Sequence, residues 1–310
     1  MPIRVITLMG EQAADAARVA VPDAEVVVLG FADPLPDDLR GDVLFGGWHG
    51  HPAYDRLDEI GVRWVHLPGT GIDGWPRHQL EGRLVTCSRG VSAIPISEFV
   101  LASMLAFVKD FPKTWLSEPP EHWNLASLGE LSGQTVGLVG IGGIGEAVAT
   151  RAQAFGMHVR ALRRNEGRGA PDGVELATDL PELLASADHL VLAAPATDTT
   201  HHLLDAAAFG HVKPGMHLLN IARGSLVDQD ALRVALDDGR VARASLDTVD
   251  PEPLPAGHWL YEHPSVRLSA HVSWASPNAF DRIIAAFADN LVRFAAGEPL
   301  VGVIDLDAGY

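Results

Sequence analysis

The stretch from residue 135 to residue 149 is the feature that most limits what this chain can fold into. An apolar segment leads into an alanine-rich helical pattern through three glycines: Gly140, Gly142 and Gly145. In a strand–turn–helix unit the first glycine permits the tight turn, the second lets the main chain approach a pyrophosphate, and the third lets helix pack on strand. The phosphates are expected at the helix N-terminus, at Gly143 and Ile144, where N–H groups and the helix dipole favour negative charge. The sequence therefore predicts a dinucleotide-binding unit.

Length and composition limit the class of protein. The 310 residues suggest two domains, and 47% hydrophobic with 20% charged residues is typical of a folded, soluble protein. A formal net charge of −17 argues against a nucleic-acid partner, because phosphate binding needs a basic face. The single cysteine, Cys87, is either a nucleophile or, as its residue type favours, a small buried hydrophobe; one cysteine fits a reducing cytoplasm. Neither a signal peptide nor a membrane span is predicted, so we expect a cytoplasmic protein.

The first hundred residues alternate between short apolar segments and helical patterns. Strands are predicted at 3–8, 25–29, 42–45, 63–67 and 83–86, with helices at 12–20 and 54–60. Such an alternation predicts a small α/β domain with a parallel sheet covered on both faces. A loop with Gly69, Thr70 and Gly71 follows the fourth strand, at the edge where these sheets bind ligands; an ordinary turn is the alternative.

A long helix is predicted from Ile96 to Trp115, and a poorly patterned connector then leads into the dinucleotide unit. Beyond that unit's first strand, strands are predicted at 157–162, 187–193, 216–221, 241–247 and 266–269, with helices at 179–185, 205–209 and 228–238. Ser276 and Pro277 look like an N-cap followed by proline at the first helical position, so a last helix is predicted from there to about Ala296. The chain is thus predicted to be α/β, with two doubly wound parallel-sheet domains.

The end of the second strand of the dinucleotide unit decides which cofactor fits. In NAD sites an acidic residue about 20 residues beyond the glycines holds the ribose 2′-hydroxyl. Here Arg163 and Arg164 stand at that place, and no acid does. Guanidinium groups match a phosphate in fork geometry, so the pair favours NADP, with NAD as the alternative. Arg168 is a further candidate, and a pair of solvated surface arginines is the other interpretation.

Three more stretches each follow a predicted strand and carry chemically useful side chains. They are 220–228 with Arg223, 247–255 with Glu252, and 269–274 with His271. Together with the glycine motif, the Asn-x-Ala-Arg-Gly and Asp-x-x-x-x-Glu-Pro segments resemble those of the D-isomer-specific 2-hydroxyacid dehydrogenase family. Within it the chain looks most like the glyoxylate/hydroxypyruvate reductase branch, and the resemblance covers essentially the whole chain.

The resemblance implies reduction of a small 2-oxo acid to the D-2-hydroxy acid with a nicotinamide cofactor. Arg223 would hold the substrate carboxylate and polarise the ketone, as a bidentate cation can. His271 would give the proton to the carbonyl oxygen, and Glu252 would support and orient the protonated ring. The family also puts Asp247 on the nicotinamide amide and the main chain of Gly69–Gly71 on the substrate carboxylate.

Two positions depart from the family's pattern. Ala270 stands where many members have proline, and Trp274 stands where the family usually has a small residue. The Trp274 ring would either narrow the substrate pocket or pack beneath it. No group of histidine and cysteine has zinc-ligand spacing, so no metal is predicted.

The resemblance also implies the domain organisation. A discontinuous substrate domain, residues 1–98 and 278–310, and an inserted dinucleotide-binding domain, residues 99–277, would have the active site in the cleft between them. The bridging helix would form the contact of a homodimer.

Other interpretations remain within the same family. A dinucleotide-sensing corepressor would keep the same arginine, glutamate and histidine, although the extensions that bind its partners are missing here. A phosphoglycerate dehydrogenase is disfavoured by the arginine pair and by the absence of a regulatory domain before Tyr310. A formate dehydrogenase would not need an acid catalyst of this kind.

Overall fold

The computed structural model describes residues 2–47, 50–164 and 169–310, and the chain divides into two compact units. Unit 1 comprises Met1–Val91 and Ser276–Tyr310, and unit 2 comprises Ser92–Ala275. The expected boundary between residues 98 and 99 falls inside the helix Ala93–Val108, which lies entirely in unit 2. Main-chain hydrogen bonds join successive turns of a helix, so the compact unit keeps this helix whole.

Strands and helices alternate along both units. In the described residues the strands are β1 (Arg4–Thr7), β2 (Glu25–Val28), β3 (Val43–Phe45), β4 (Trp64–Leu67), β5 (Leu84–Cys87), β6 (Thr135–Val139), β7 (His158–Leu162), β8 (Val174–Leu176), β9 (His189–Leu192), β10 (Met216–Asn220), β11 (Val241–Leu246) and β12 (Val266–Leu268). The α-helices are α1 (Gly10–Ala20), α2 (Leu57–Ile60), α3 (Arg77–Leu80), α4 (Ala93–Val108), α5 (Gly143–Ala154), α6 (Leu180–Ser186), α7 (Ala206–Phe209), α8 (Gln229–Asp237) and α9 (Ala279–Ala296). Strands within each sheet pair in parallel, which confirms the predicted fold class.

Unit 1 contains a five-stranded sheet in the order β2-β1-β3-β4-β5. Successive residues of its strands enter two different hydrophobic cores. Leu44 and Val65 belong to one core, whereas Val43 and Trp64 belong to the other. Because side chains alternate between the faces of a strand, this division means that both faces of the sheet are covered.

Unit 2 contains a seven-stranded sheet in the order β12-β11-β10-β9-β6-β7-β8. Val191 packs into one core, and its neighbours Leu190 and Leu192 pack into the other, so this sheet is also covered on both faces. The chain order reverses between β6 and β9. In open α/β sheets ligands bind at such a switch point, outside the carboxyl ends of the strands.

The structure corrects three details of the predicted elements. Strand β8 was missed because it has only three residues and only Val174 of them is buried. Helix α4 ends at Val108 rather than at Trp115, because Asp110 has a left-handed main chain with φ +50 and Pro112 has no N–H to donate to the Val108 carbonyl oxygen. The predicted N-cap at Ser276 is wrong, since the N-cap of α9 is Asn278.

Candidate active site

Arg223, Glu252 and His271 each follow one of three neighbouring strands. Arg223 lies after β10, Glu252 after β11 and His271 after β12, and these strands are adjacent in the sheet. Because the strands are parallel, their carboxyl ends lie at the same edge. The fold therefore gathers three loops that are distant in sequence at one rim of unit 2.

The ring of His271 contacts the carboxylate of Glu252. The Nδ1 atom of His271 lies 3.1 Å from Oε1 and 3.2 Å from Oε2 of Glu252. About two fifths of each side chain is exposed, at 38% for the histidine and 37% for the glutamate. The pair therefore combines direct contact with solvent access, as a group that exchanges protons requires.

The loop that carries Arg223 is shaped by its neighbour Asn220. The Asn220 amide donates to the carbonyl oxygen of Arg223 at 2.8 Å and accepts from the N–H of Ala222 at 3.1 Å. The Arg223 guanidinium is half-buried and donates to the carbonyl oxygen of Ala222 at 2.7 Å. The side chain of Asn220 thus closes the turn from which Arg223 projects.

Gly224 brings the arginine loop and the glutamate loop into direct contact. A Cβ atom at this position would collide with the Val249 carbonyl group and the Asp250 nitrogen. Only a residue without a side chain allows the two main chains to approach this closely. The glycine of the Asn-x-Ala-Arg-Gly segment is therefore required by packing, a role that the sequence pattern does not reveal because Val249 is 25 positions away.

The His271 loop is fastened to Asp247, the residue directly after β11. Ser269 Oγ and the Val272 N–H donate to Asp247 Oδ1 at 2.5 Å and 2.9 Å, and the Ser273 N–H donates to Oδ2 at 2.9 Å. Burial by itself raises the pKa of Asp247, but these hydrogen bonds outweigh burial and hold the pKa of this carboxyl below its ordinary value. Asp247 therefore supports the loop, and the expected contact with the nicotinamide amide stays a prediction.

Trp274 packs against the buried core formed around α4 and α5, and its indole N–H points back to the histidine. Its Nε1 donates to the carbonyl oxygen of His271 at 3.0 Å. This arrangement matches the alternative in which the ring packs beneath the site. A contact between Trp274 and substrate stays a prediction.

The glycine motif has the geometry that its chemistry requires. Gly140 has φ +95, and a Cβ there would lie 2.9 Å from the Ala193 carbonyl oxygen, so only glycine fits at the switch point. A Cβ at Gly145 would lie only 2.5 Å from the Gly140 carbonyl oxygen. Because glycine has no Cβ, α5 can approach the turn this closely. At Gly142, the N-cap of α5, a Cβ would meet no atom within 4 Å. The main chain at Gly142 therefore stays accessible, and the loop fits a pyrophosphate.

Arg163 and Arg164 follow the end of β7, and Arg163 lies beside this loop. Arg163 donates to the carbonyl oxygen of Ile141 at 3.0 Å and to that of Gly169 at 2.8 Å. Arg164 is exposed. Arg163 therefore lies next to the glycine turn, and binding of a 2′-phosphate by the two arginines stays a prediction; Arg168 lies outside the described residues.

The remaining candidate residues lie in unit 1. Gly69 and Thr70 are exposed in the loop that follows β4, with Gly71 after them. Cys87 is buried, and burial raises the pKa of its thiol, which fits the hydrophobic interpretation.

Within the described ranges, no three His, Cys, Asp or Glu side chains come together in a way that could hold a metal ion. No helix among the same residues is both long and apolar enough to cross a membrane.

Comparison with known proteins gives consistent results. Residues 101–273 match the family described as D-isomer specific 2-hydroxyacid dehydrogenase, NAD binding domain. The chain is 32% identical over 247 residues to glyoxylate/hydroxypyruvate reductase A of Serratia proteamaculans, which covers 78% of this chain and 75% of that protein. It is 33% identical over 256 residues to D-3-phosphoglycerate dehydrogenase of Bacillus subtilis, which covers 81% of this chain and 48% of that protein. The chain therefore spans about half the length of this second relative.

A solved structure agrees over nearly the whole chain. The crystal structure of the NADPH-dependent glyoxylate/hydroxypyruvate reductase from Sinorhizobium meliloti, in complex with NADP and sulfate, has a TM-score of 0.85 and 26% identity, covering 99% of this chain and all of that one. The family match covers more than half of the chain and includes the glycine motif, Arg223, Glu252 and His271. The chain belongs to the D-isomer-specific 2-hydroxyacid dehydrogenase family.

Proposed function

We propose that this protein reduces a small 2-oxo acid of the glyoxylate or hydroxypyruvate type to the D-2-hydroxy acid, with NADPH as the favoured reductant. The observation that carries the proposal is the contact between His271 and Glu252, on loops packed beside that of Arg223. The similarity to the Serratia and Sinorhizobium reductases supports this substrate class.

The proton would come from Nε2 of His271. Because Nδ1 faces Glu252, a doubly protonated ring keeps its Nδ1–H on the carboxylate and presents its Nε2–H for donation. The negative charge of Glu252 favours the protonated ring and fixes its orientation. Glu252 therefore acts on the reaction through His271.

Arg223 would bind the substrate carboxylate. A guanidinium presents parallel N–H donors that match the two oxygens of a carboxylate. The same group, next to the ketone oxygen, stabilises the negative charge that develops there as the carbonyl is reduced. One cation thus serves both binding and turnover.

The glycine loop fits a dinucleotide cofactor. Gly142, Gly143 and Ile144 would hold the pyrophosphate with main-chain N–H groups, since Gly142 has no side chain to cap the helix itself. Arg163, beside this loop, and Arg164, exposed next to it in sequence, would hold the 2′-phosphate of NADPH. When bound, the nicotinamide supplies the hydride.

The decisive experiment is the measurement of kcat/KM for glyoxylate with NADPH and with NADH. Each charge-assisted hydrogen bond to the phosphate contributes about 1.5–3 kcal/mol, or about ten- to a hundredfold in affinity, reduced by solvent screening. Arg164→Ala should therefore lower kcat/KM with NADPH and leave NADH kinetics unchanged. Arg240→Ala removes the same charge from a surface arginine paired with Asp238 and is the control.

Two results would overturn parts of this proposal. Equal or better kinetics with NADH in the wild-type protein would make the arginine pair a surface feature and the NADPH preference wrong. No oxidation of either reductant by any 2-oxo acid, with cofactor binding intact, would favour a dinucleotide sensor over an enzyme.

A second candidate substrate follows from the Bacillus relative. Its 33% identity, similar to that of the Serratia reductase, makes oxidation of D-3-phosphoglycerate with NAD the competing activity. A higher kcat/KM for 3-phosphoglycerate with NAD than for glyoxylate with NADPH would select it. The two assays use the same protein preparation and differ only in substrate and cofactor.

The proposal includes a homodimer formed by unit 2, as the family resemblance implies. The segment after α4 exposes Trp123 at 72% and Leu125 at 76%, together with Trp115, Leu116 and Leu128. An apolar surface of this kind is typical of an interface. Light scattering should give twice the chain mass for the wild type and the mass of one chain for the double variant Trp123→Asp/Leu125→Asp, whereas a monomeric wild type would refute the dimer.

A further inference from the structure

His271 has a main-chain conformation that L-residues rarely adopt. Its φ is +53, in the left-handed region, and it shares this sign among described non-glycine residues only with Asp110, Asn124 and His202. A side chain in this region costs free energy, and the conformation persists only where the surroundings enforce it. The structure must therefore contain groups that hold residue 271 in place.

Hydrogen bonds hold the main chain of residue 271 on both sides. Its N–H donates to the Asp247 carbonyl oxygen at 2.9 Å, and its carbonyl oxygen accepts from Trp274 Nε1 at 3.0 Å. The next two N–H groups, of Val272 and Ser273, donate to the Asp247 carboxylate at 2.9 Å each. Asp247 is buried and Trp274 packs on the hydrophobic core, so both holding groups are themselves fixed.

This arrangement decides where the imidazole ring points. The side-chain direction of a residue follows its φ and ψ, so a change from left-handed to extended backbone would move the ring away from its present position. The 3.1 Å contact between Nδ1 and Glu252 depends on that position. The main-chain hydrogen bonds therefore act on the ring although they do not touch it.

We infer that Trp274, together with Asp247, is a positioning residue that locks the main chain of His271 and thereby aims its ring at Glu252 and the substrate. The inference rests on the proposed role of His271 as proton donor. It gives Trp274 a task other than lining the substrate pocket. In this role the hydrogen bond from the indole N–H matters, and the size of the ring does not.

The test is Trp274→Phe, which keeps an aromatic ring in the core and removes the N–H group. Losing one hydrogen bond of this kind should lower kcat about three- to tenfold while the affinity for NADPH stays unchanged. Trp259→Phe is the matched control, because the Trp259 Nε1 is buried without a hydrogen-bond partner in the described residues. The control should keep the wild-type kcat, and thermal unfolding of both variants would show that they fold.

A double-variant cycle separates positioning from a general structural effect. If Trp274 acts through His271, Trp274→Phe should lower the rate in the wild type but leave the residual rate of His271→Ala unchanged. Hydrogen exchange of the Val272 and Ser273 amides should accelerate in Trp274→Phe and not in Trp259→Phe. A structural defect would instead lower both rates in the cycle.

The outcomes distinguish this inference from the proposed function. Full activity of His271→Ala would refute the proton donor itself. An inactive His271→Ala combined with a wild-type kcat for Trp274→Phe would refute only the positioning role. An unchanged kcat for glyoxylate with an altered ranking of larger 2-oxo acids would make Trp274 a pocket residue and would also overturn the inference.

Discussion

Two histidine sites of unit 2, at His271 and at His189 with His217, differ in solvent exposure and in hydrogen-bond partners. His271 is partly exposed and contacts a carboxylate, whereas His189 and His217 are fully buried and contact each other, with Nδ1 atoms 3.1 Å apart. Burial lowers the pKa of His189 to about 4 and that of His217 well below its ordinary value. The same residue type thus supplies one proposed proton donor and two neutral structural groups.

The buried pair forms one directed chain of hydrogen bonds. His189 Nε2 lies 2.7 Å from the Gln134 carboxamide oxygen, which can only accept, so His189 Nδ1 accepts from His217. His217 Nε2, 2.9 Å from Ser245 Oγ, must then accept from the serine hydroxyl. Every ring nitrogen is satisfied only while both rings are neutral. The hydrogen-bond partner and the access to solvent, rather than the residue type, therefore decide whether a histidine can exchange protons.

The largest expected effect comes from removing the exposed histidine. His271→Ala should lower kcat for the 2-oxo acid by about 10²–10⁴-fold, the usual contribution of general acid catalysis. NADPH should still bind, as fluorescence titration would show. His211→Ala, at an exposed position of the same unit, is the control and should keep the wild-type rate. Near wild-type turnover of His271→Ala would show that His271 is not the proton donor and that its exposure and its carboxylate partner have no role in the reaction.

The buried pair should make stability fall in acid. The pKa of both groups is lowered in the folded state, so below pH 6.5 the unfolded chain binds more protons, and stability decreases as pH falls towards about 4. The loss is about 1.4 kcal/mol per pH unit for each histidine that stays neutral in the folded state. His189 alone therefore accounts for about 2 kcal/mol between pH 6.5 and pH 5, and His217 adds to this loss.

Urea unfolding at several pH values would measure this loss. The free energy of unfolding of His189→Leu/His217→Leu should depend less steeply on pH between 6.5 and 5 than that of the wild type. The comparison uses slopes, so a lower absolute stability of the variant does not disturb it. Identical slopes would mean that the buried rings take up protons without unfolding the chain.

A smaller effect should follow from breaking the end of the buried chain. Ser245→Ala removes the donor to His217 Nε2 and leaves a buried acceptor unsatisfied, which costs about 1–3 kcal/mol. The free energy of unfolding should fall by this amount while kcat is unchanged. Ser132→Ala, at an exposed position, is the control. A loss of turnover without a loss of stability would connect the buried pair to the reaction.

The smallest effect concerns Glu252, the partner of His271. Glu252→Gln keeps a hydrogen-bond acceptor for the ring and removes the charge of the ion pair. A partly exposed ion pair contributes about 0.2–1 kcal/mol, so kcat should fall by about 1.4- to 5-fold. Glu262→Gln, at an exposed position, should keep the wild-type kcat. A wild-type kcat for Glu252→Gln as well would leave Glu252 with an orienting role alone.

Much of the fold could be predicted from local patterns. The glycine motif and the alternating apolar segments predict parallel sheets, and both can be read from the sequence because each involves only a few consecutive residues. The sequence does not predict strand β8, because only Val174 is buried within it. It predicts too long a helix α4, because the apolar pattern continues beyond Pro112. Local patterns therefore fail where a single buried residue or a single proline decides the element.

The sequence indicates which residues form the candidate site, but it does not indicate their contacts. Arg223, Glu252 and His271 stand in recognisable segments, whereas the hydrogen bonds from Ser269 and Ser273 to Asp247 exist only because β11 lies next to β12. The buried histidines give no sequence signal either, since His189 and His217 are 28 positions apart and meet as register partners of β9 and β10. Contacts across strands require the strand order, which one sequence does not contain.

The close approach at Gly224 has a consequence for redesign of the substrate range. A side chain there would push the Val249–Asp250 main chain, and with it the loop that carries Glu252. The space between the arginine loop and the glutamate loop at this point is smaller than a methyl group, so a side chain at position 224 would displace Glu252 as well as Arg223. Redesign of either loop should therefore keep Gly224 unchanged.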